Sequence, residues 1–284
     1  MKRLFKCLVV AILAVPLCSV SAENHASKKP LEVGVVPYIS ARAVIANFEP
    51  MRLYLEQSLG RPVRIYTANG FKQFFANAQR GDYDLVISAA HIARILQKEN
   101  KHTPIVRFIP GVHSLLMTKL NSPVKSAEEL RGQVIAIPDR LAFASVVGMH
   151  WLSDHGLRAD RDYKILDVPT FPSALLAVQK GEATAAISVA PVLTQIPREM
   201  KDALDTLADT GEFLQFVFLT HPRVGKQTNA VLGRELLKFA NETNEGKQFF
   251  ANTGFGGMVP ATAGDMSALD KYRAETKRLL KAAP

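Results

Sequence analysis

Cysteine is nearly missing from this sequence: 284 residues hold two, Cys7 and Cys18. Both lie in the opening "MKRLFKCLVVAILAVPLCSVSA". That segment has a basic start at Lys2, Arg3 and Lys6, an apolar stretch from Leu8 to about Leu17, and the small residues Val20, Ser21 and Ala22. The three parts together predict a secretory signal peptide over 1–22, cleaved on export to the periplasm. The apolar stretch is short of the roughly 20 residues that a membrane span needs. Cys18 raises a lipid anchor as an alternative, but the bulky Leu17 precedes it. Cleavage leaves no cysteine, which excludes disulfides, thiolate nucleophiles and thiolate metal ligands from the mature chain.

Other features are missing too. No later apolar run is long enough to cross a membrane, so a soluble mature protein is expected. There is no Gly-x-Ser-x-Gly elbow and no phosphate loop. His150 and His155 are five apart and do not share a helical face for a metal. Asp82 and Asp84 flank Tyr83 in a turn and read as solvated, while Glu128 and Glu129 follow Ser126 as in a capping start. No catalytic residue, cofactor or metal is expected. Removing the signal takes the charge from 35 basic against 26 acidic to 32 against 26, or from +9 to +6. For an exported chain that balance suggests acidic ligands or an acidic envelope surface, or solubility alone, and not nucleic acid.

About 260 residues remain, enough for one large or two modest domains. "LEVGVVP", "VRIYTA" and "DLVIS" read as strands buried on both faces. Phe71, Phe74, Phe75 and Ala78 have helical spacing, with Gly81 as the C-terminal cap. Strand, helix, strand in that order predicts a parallel sheet with helices outside. The pattern then repeats at an offset of 100 without a gap: "IYTANGFKQFFANAQRGDYDLVIS" from Ile65 and "ILDVPTFPSALLAVQKGEATAAIS" from Ile165. "VVP" before a helix at Val35 and "AIP" at Ala136 pair in the same way. Two α/β lobes are expected, the first over 31–117 plus 221–284 and the second over 118–220. "LQFVFLTH" reads as a strand returning to the first lobe. "AVLGRELLKFANETN" and "MSALDKYRAETKRLL" read as helices. Two crossings make a hinge, and ligands sit beyond the strand carboxyl ends.

"VGVVPYISARAVIANFEPMRLYLEQSLGRPVRIYTA", "FANAQRGDYDLVISAAHIARIL", "SAEELRGQVIAIPD", "ALLAVQKGEATAAIS" and "GFGGMVPAT" together resemble the periplasmic binding proteins for phosphonate, phosphite and phosphate, the solute-capturing parts of ABC transporters. The resemblance implies the type II periplasmic binding fold, α/β with mixed, mainly parallel sheets, flanking helices and a hinge. Two stretches depart from it. Where that family has Asp-Pro-x-Ser-Thr-Ser-Gly, this chain reads Ile137-Pro138-Asp139-Arg140-Leu141-Ala142-Phe143. Where it has a Gly-Ser-His-Asp-like run, this chain reads Pro169-Thr170-Phe171-Pro172-Ser173.

The ligand-binding candidates follow the strands. Tyr38 and Ser40 come after the first strand, with Tyr38 as a ligand cover or a rim residue. Asn69 and Gly70 precede the Phe71 helix, where either caps it and the helix end favours a negative group. Ser88 and His91 follow the third strand; His91 is a ligand contact or a structural histidine. Arg140, with Ala142 and Phe143 beside it, is expected to replace the hydroxyl cluster as the main anion contact. The competing reading pairs Arg140 with Asp139 or Asp160 or points it outward. Thr170, Phe171 and Ser188 mirror the first-lobe positions, and Phe171 is wall or core. The expected function is capture of a small anionic ligand, a phosphonate or another oxyanion, by a monomer that serves an inner-membrane ABC permease. The alternatives are a sensing module for a membrane sensor kinase and, less favoured, an enzyme on the same fold.

Overall fold

The computed structural model describes residues 29–282 except Gln195; the expected signal segment lies outside them. The first half runs β1 (Leu31–Val35), α1 (Ala41–Leu59), β2 (Val63–Tyr66), α2 (Phe71–Arg80), β3 (Leu85–Ala89), α3 (Ala90–Asn100) and β4 (Thr103–Ile109). There follow β5 (Val112–Lys119), β6 (Val134–Ile137), α4 (Phe143–Asp154), β7 (Lys164–Asp167), α5 (Phe171–Lys180), β8 (Ala185–Val189), α6 (Arg198–Asp202) and β9 (Leu204–Phe213). The chain ends with β10 (Phe216–Thr220), α7 (Lys226–Glu242), α8 (Asn244–Thr253), β11 (Gly257–Pro260), α9 (Ala263–Ser267) and α10 (Arg273–Lys281).

Two sheets result, ordered β11-β4-β10-β3-β1-β2 and β7-β6-β8-β5-β9. Each contains one parallel triplet, β3-β1-β2 in the first and β8-β6-β7 in the second. Beside each triplet lies an antiparallel strand, β10 against β3 and β5 against β8. The offset of 100 residues is thus physical. α2 begins at Phe71 and α5 at Phe171, and both end on a left-handed glycine, Gly81 and Gly181. Only glycine adopts that conformation at no steric cost.

The expected lobe boundaries shift. Met117 lies inside β5, which pairs with β8 and β9 of the second sheet. The return strand β10 lies in the first sheet. The chain therefore crosses between sheets just before Val112 and just after Phe213. The cause is pairing: a strand on a sheet's antiparallel side has the same apolar character whichever sheet receives it. The two crossings lie side by side, with the Gln215 amide donating to the Pro110 carbonyl at 3.3 Å. The single helix expected through "AVLGRELLKFANETN" continues as α8 after a break at Thr243, which caps α8 by accepting from the Gly246 N–H. The helix expected through "MSALDKYRAETKRLL" breaks into α9, a short 3-10 turn and α10.

Helix α1 shows why these segments fold where they do. Ser40 caps it by accepting from the Ala43 N–H, and Gly60 ends it. Between them Val44, Phe48, Met51 and Leu55 form one buried stripe, the spacing that puts side chains on one helical face. Its core partner is aromatic. Phe108 is fully buried and has five phenylalanine rings within 6.2 Å, those of Phe216, Phe218, Phe249, Phe250 and Phe255. A second core lies around Leu175, Val178 and Ala186 under α5. A third cluster joins the sheets, running from Ala90 and Ala93 of α3 through Leu141, Phe143 and Val146 to Tyr272 and Leu279.

No helix among the described residues is long and apolar enough to cross a membrane. Phe108→Ala is expected to cost about 3 to 5 kcal/mol, the range for deleting a fully buried aromatic ring. Urea unfolding followed by circular dichroism measures it; a loss under about 1 kcal/mol would mean that the ring cluster is loosely packed.

Candidate functional site

In each parallel triplet the first strand is the middle one, so the strand order reverses beside it. Ligands on open α/β sheets gather at such a switch, beyond the carboxyl ends of the strands. In the first sheet those ends carry Tyr38, Asn69 and Ala90; in the second they carry Asp139, Thr170 and Ala190. The cleft runs between the two sets.

Its two sides are unlike. On the α3–α4 side the lobes touch. His91 is buried and stacks on Phe143 with ring centroids 4.4 Å apart. Phe143 also meets Phe213 at 4.9 Å and Tyr272 at 5.2 Å, both edge-on. His91 Nε2 lies 3.1 Å from the Leu141 carbonyl, so the ring donates there and is the Nε2–H tautomer. Nδ1 is buried without a partner. Burial pushes the His91 pKa down to about 3, with the Leu141 carbonyl opposing it. Among the described residues, sequence reasoning missed Leu141, Phe213 and Tyr272 as partners here, because nothing in spacing brings positions 91, 141, 213 and 272 together.

The other side is open. Ser40, Asn69 and Thr170 are exposed, and Tyr38, Gly70 and Phe171 are half-buried. Burial pushes the Tyr38 phenol pKa up, and its ring leans on Phe216 at 4.9 Å. Thr170 caps α5 itself, accepting from the Ser173 N–H at 3.2 Å. Helix α2 has no side-chain cap: its N-cap is Gly70, in extended backbone, and a Cβ there would meet nothing within 4 Å. Helices α3 and α4 also lack side-chain caps, at Ala89 and Ala142, but their first turns are sealed in the seam, where His91 and Phe143 are buried. The α2 end therefore faces the cleft without a side-chain cap, while its Phe71 packs on the cluster that joins the sheets and Lys72 Nζ donates to the Ala282 carbonyl at 2.6 Å. Phe171 is half-buried and packs against the second-lobe core.

Arg140 does not face an empty cleft. Its Nε and Nη2 donate to the two Asp167 oxygens at 3.0 and 2.9 Å, and Nη1 donates to Asp160 at 2.7 Å. These bonds, Asp167 first, push its pKa further up. The sequence reading named Asp160 as a rival partner and missed Asp167. A signal existed: Ile137 and Asp167 are register partners on β6 and β7, which puts Asp167 near the turn that follows β6. Asp139 turns inward on its own loop and accepts from the Leu141 N–H at 2.7 Å. Ser88 and Ser188 are fully buried in β3 and β8; Ser88 Oγ donates to the Ala89 carbonyl, while Ser188 Oγ has no partner. Ala142, the N-cap of α4, is half-buried. Asp84 is not solvated as expected. It is buried, accepts from the Glu32 N–H at 3.0 Å and pairs with Arg223 at 2.8 Å. Among the described residues no three His, Cys, Asp or Glu side chains gather as a metal would require.

Residues 33–266 match the profile of the ABC transporter, phosphonate, periplasmic substrate-binding protein family. Solved structures share the fold at low identity. A Xanthomonas citri protein bound to chloride ion has a TM-score of 0.78 at 17% identity, covering 88% of this chain and 98% of that one. PhnD1 from Prochlorococcus marinus in complex with methylphosphonate has a TM-score of 0.74 at 14% identity, covering 88% and 99%. A binding protein component of an ABC phosphonate transporter from Pseudomonas aeruginosa has a TM-score of 0.73 at 12% identity, covering 88% and 87%.

His91 makes stability depend on pH. Its folded pKa lies below the unfolded value of about 6.5, so below that pH the unfolded chain binds a proton that the folded one refuses. Stability is full above about pH 6.5 and falls toward the folded value, at up to about 1.4 kcal/mol per pH unit from this group. His102, pushed down to about 4 chiefly by burial, adds a loss of the same sign. In urea melts between about pH 7 and 4.5, His91→Gln should flatten the curve by about one proton. An unchanged slope would mean that His91 is already charged or solvated.

Proposed function

The chain belongs to the periplasmic phosphonate substrate-binding proteins of ABC transporters, and we propose that it captures a small anion on the open side of its cleft. The observation that carries this reading is the uncapped α2 end at Gly70, held at the carboxyl end of β2 and open to the space between the lobes. Such an end carries about half a positive charge, with N–H groups aimed outward. Asn69 adds an amide, Ser40 a hydroxyl and Tyr38 a phenol from the same lobe. Thr170, the repeat mate of Gly70, adds a hydroxyl from the other lobe. Closure about the paired crossings would bring both sets onto one ligand.

This arrangement suits a phosphonate, phosphate, sulfonate or carboxylate headgroup. PhnD1 holds methylphosphonate on the same scaffold, which supports an oxyanion. The chain captures and does not convert, so a bound compound should be recovered unchanged. Its partner is an inner-membrane permease, served by a monomer in the periplasm. The sensor-kinase alternative separates from this by reconstitution: a transport partner moves the ligand into vesicles at the expense of ATP, whereas a sensor kinase shows ligand-dependent autophosphorylation.

Arg140 we assign to bracing the β6–α4 turn against β7. Its partners are more than half exposed, so solvent screens the pairs and Arg140→Ala should cost about 1 kcal/mol or less in stability. Ligand affinity should not change. A loss of 2 kcal/mol or more in binding would restore Arg140 as a buried ligand contact.

A thermal-shift screen of those four anion classes identifies the ligand, which at 100 times its dissociation constant should add about 2.7 kcal/mol of stability. Gly70→Tyr then tests the site. Its backbone is extended and its Cβ direction is free, so folding should survive. Affinity should fall about tenfold or more, 1.4 kcal/mol. Wild-type affinity in Gly70→Tyr would place the ligand elsewhere.

A further inference from the structure

A second cavity lies at the opposite end of the first sheet, by the amino ends of its parallel strands. It measures about 200 Å³, and its lining includes Lys29, Arg61, Asp84, Arg223 and Thr228. These come from five places in the sequence: before β1, between α1 and β2, before β3, after β10, and in the first turn of α7. Three are cations and one is an anion.

The single carboxylate is already committed. Asp84 accepts from the Glu32 N–H at 3.0 Å and from Arg223 Nε at 2.8 Å. Arg223 Nη1 donates to the Gly81 carbonyl, which leaves Nη2 unbonded among the described residues. Lys29 and Arg61 make no ion pair or side-chain hydrogen bond among the described residues, although Arg61 is half-buried. The cavity thus holds two positive charges beyond what Asp84 balances. Cations gathered around a partly enclosed space repel each other unless an anion joins them. Thr228 supplies a hydroxyl at the same wall. Gly225, the N-cap of α7, makes no side-chain cap bond, so N–H groups of that turn are unclaimed by any side chain.

We propose that this cavity binds a compact oxyanion, a phosphate group held by Arg61, Arg223 and Lys29, at a site separate from the cleft. Arg61 offers an open guanidinium edge, which can bond two phosphate oxygens at once, and Arg223 adds its Nη2. The carboxylate fixes Arg223 in place and keeps the site from attracting anions without discrimination. The phosphate can be free or carried on a lipid headgroup. The proposal does not depend on the cleft's ligand.

The test is amide NMR of the nitrogen-15-labelled protein titrated with inorganic phosphate. Amides of Lys226, Gln227 and Thr228 should shift and saturate, whatever the cleft amides of Phe71 to Gln73 do. Arg61→Ser, at a half-buried turn position without side-chain bonds, should melt like wild type and weaken that response about tenfold, or 1.4 kcal/mol. Dihexanoyl-phosphatidylglycerol in place of phosphate asks whether a headgroup is taken; shifts of the same amides with the lipid alone assign the site to lipid phosphate. Sodium chloride at matched ionic strength is the control, and if it reproduces the shifts the effect is general screening and the proposal fails. It fails equally if neither phosphate nor lipid moves the α7 amides, or if Arg61→Ser responds like wild type.

Discussion

One apolar seam sets what the two lobes can do. Phe143 stands at its centre, with His91 stacked on one side and Phe213 and Tyr272 meeting it edge-on. The ring belongs to the second lobe, His91 and Tyr272 to segments packed with the first. A hydrophobic contact made across a hinge couples the lobes more firmly than any surface ion pair in the structure could. Everything about the cleft then follows from which side the seam occupies. It seals the ends of α3 and α4 and leaves those of α1, α2 and α5 on the open side, where among these three only α2 lacks a side-chain cap. Ion pairs reinforce the same side: Arg94 of α3 holds both Asp270 oxygens, at 2.8 and 2.6 Å, and Lys277 of α10 reaches Glu99 at 2.7 Å.

The seam also bears on why the anion site is proposed at Gly70 and not at Arg140. An arginine next to three carboxylates, two of them bonded to it, is an electrostatically closed unit. Asp139 is the third, unbonded to Arg140, its pKa raised by burial and by Asp167. An incoming anion there would compete with bonds already made and face that carboxylate. At Gly70 it meets N–H groups without a side-chain cap and a free Cβ direction. The choice of glycine, where a serine or threonine would cap the helix, keeps those groups available. Its repeat mate Thr170 shows the contrast, since it caps α5 with its own hydroxyl.

Much of the fold was legible because its signals are local. The alternation of apolar strands and helical stripes, the two glycine caps and the ungapped offset of 100 residues are all properties of neighbouring positions. The return strand β10 was legible as well. The boundary of β5 was not, because a strand carries no mark of which sheet will receive it. The site was legible only as a set of strand ends. Which ends stay open depends on contacts between positions 91, 141, 143, 213 and 272, and sequence spacing does not encode those. Asp84 was misread for the same reason. Its turn is polar, yet Arg223, 139 residues away, folds over it.

The proposed closure would have to work around the seam. A rotation about the crossings near Pro110 and Gln215 moves α4 relative to α3, and the His91–Phe143 stack lies between them. Either the stack slides as a unit or it breaks. Breaking it would expose an aromatic ring and leave the His91 and Leu141 polar groups seeking water, a cost of order several kcal/mol when burial and one hydrogen bond are combined. Sliding costs far less, because stacked rings tolerate offset and the rest of the seam is apolar and non-directional. The structure favours sliding in one further respect. The unpartnered His91 Nδ1 faces no competing donor, so only one directional bond, to the Leu141 carbonyl, has to stretch. A hinge built this way would turn about its sealed edge, and the open edge at Gly70 and Thr170 would make the larger movement.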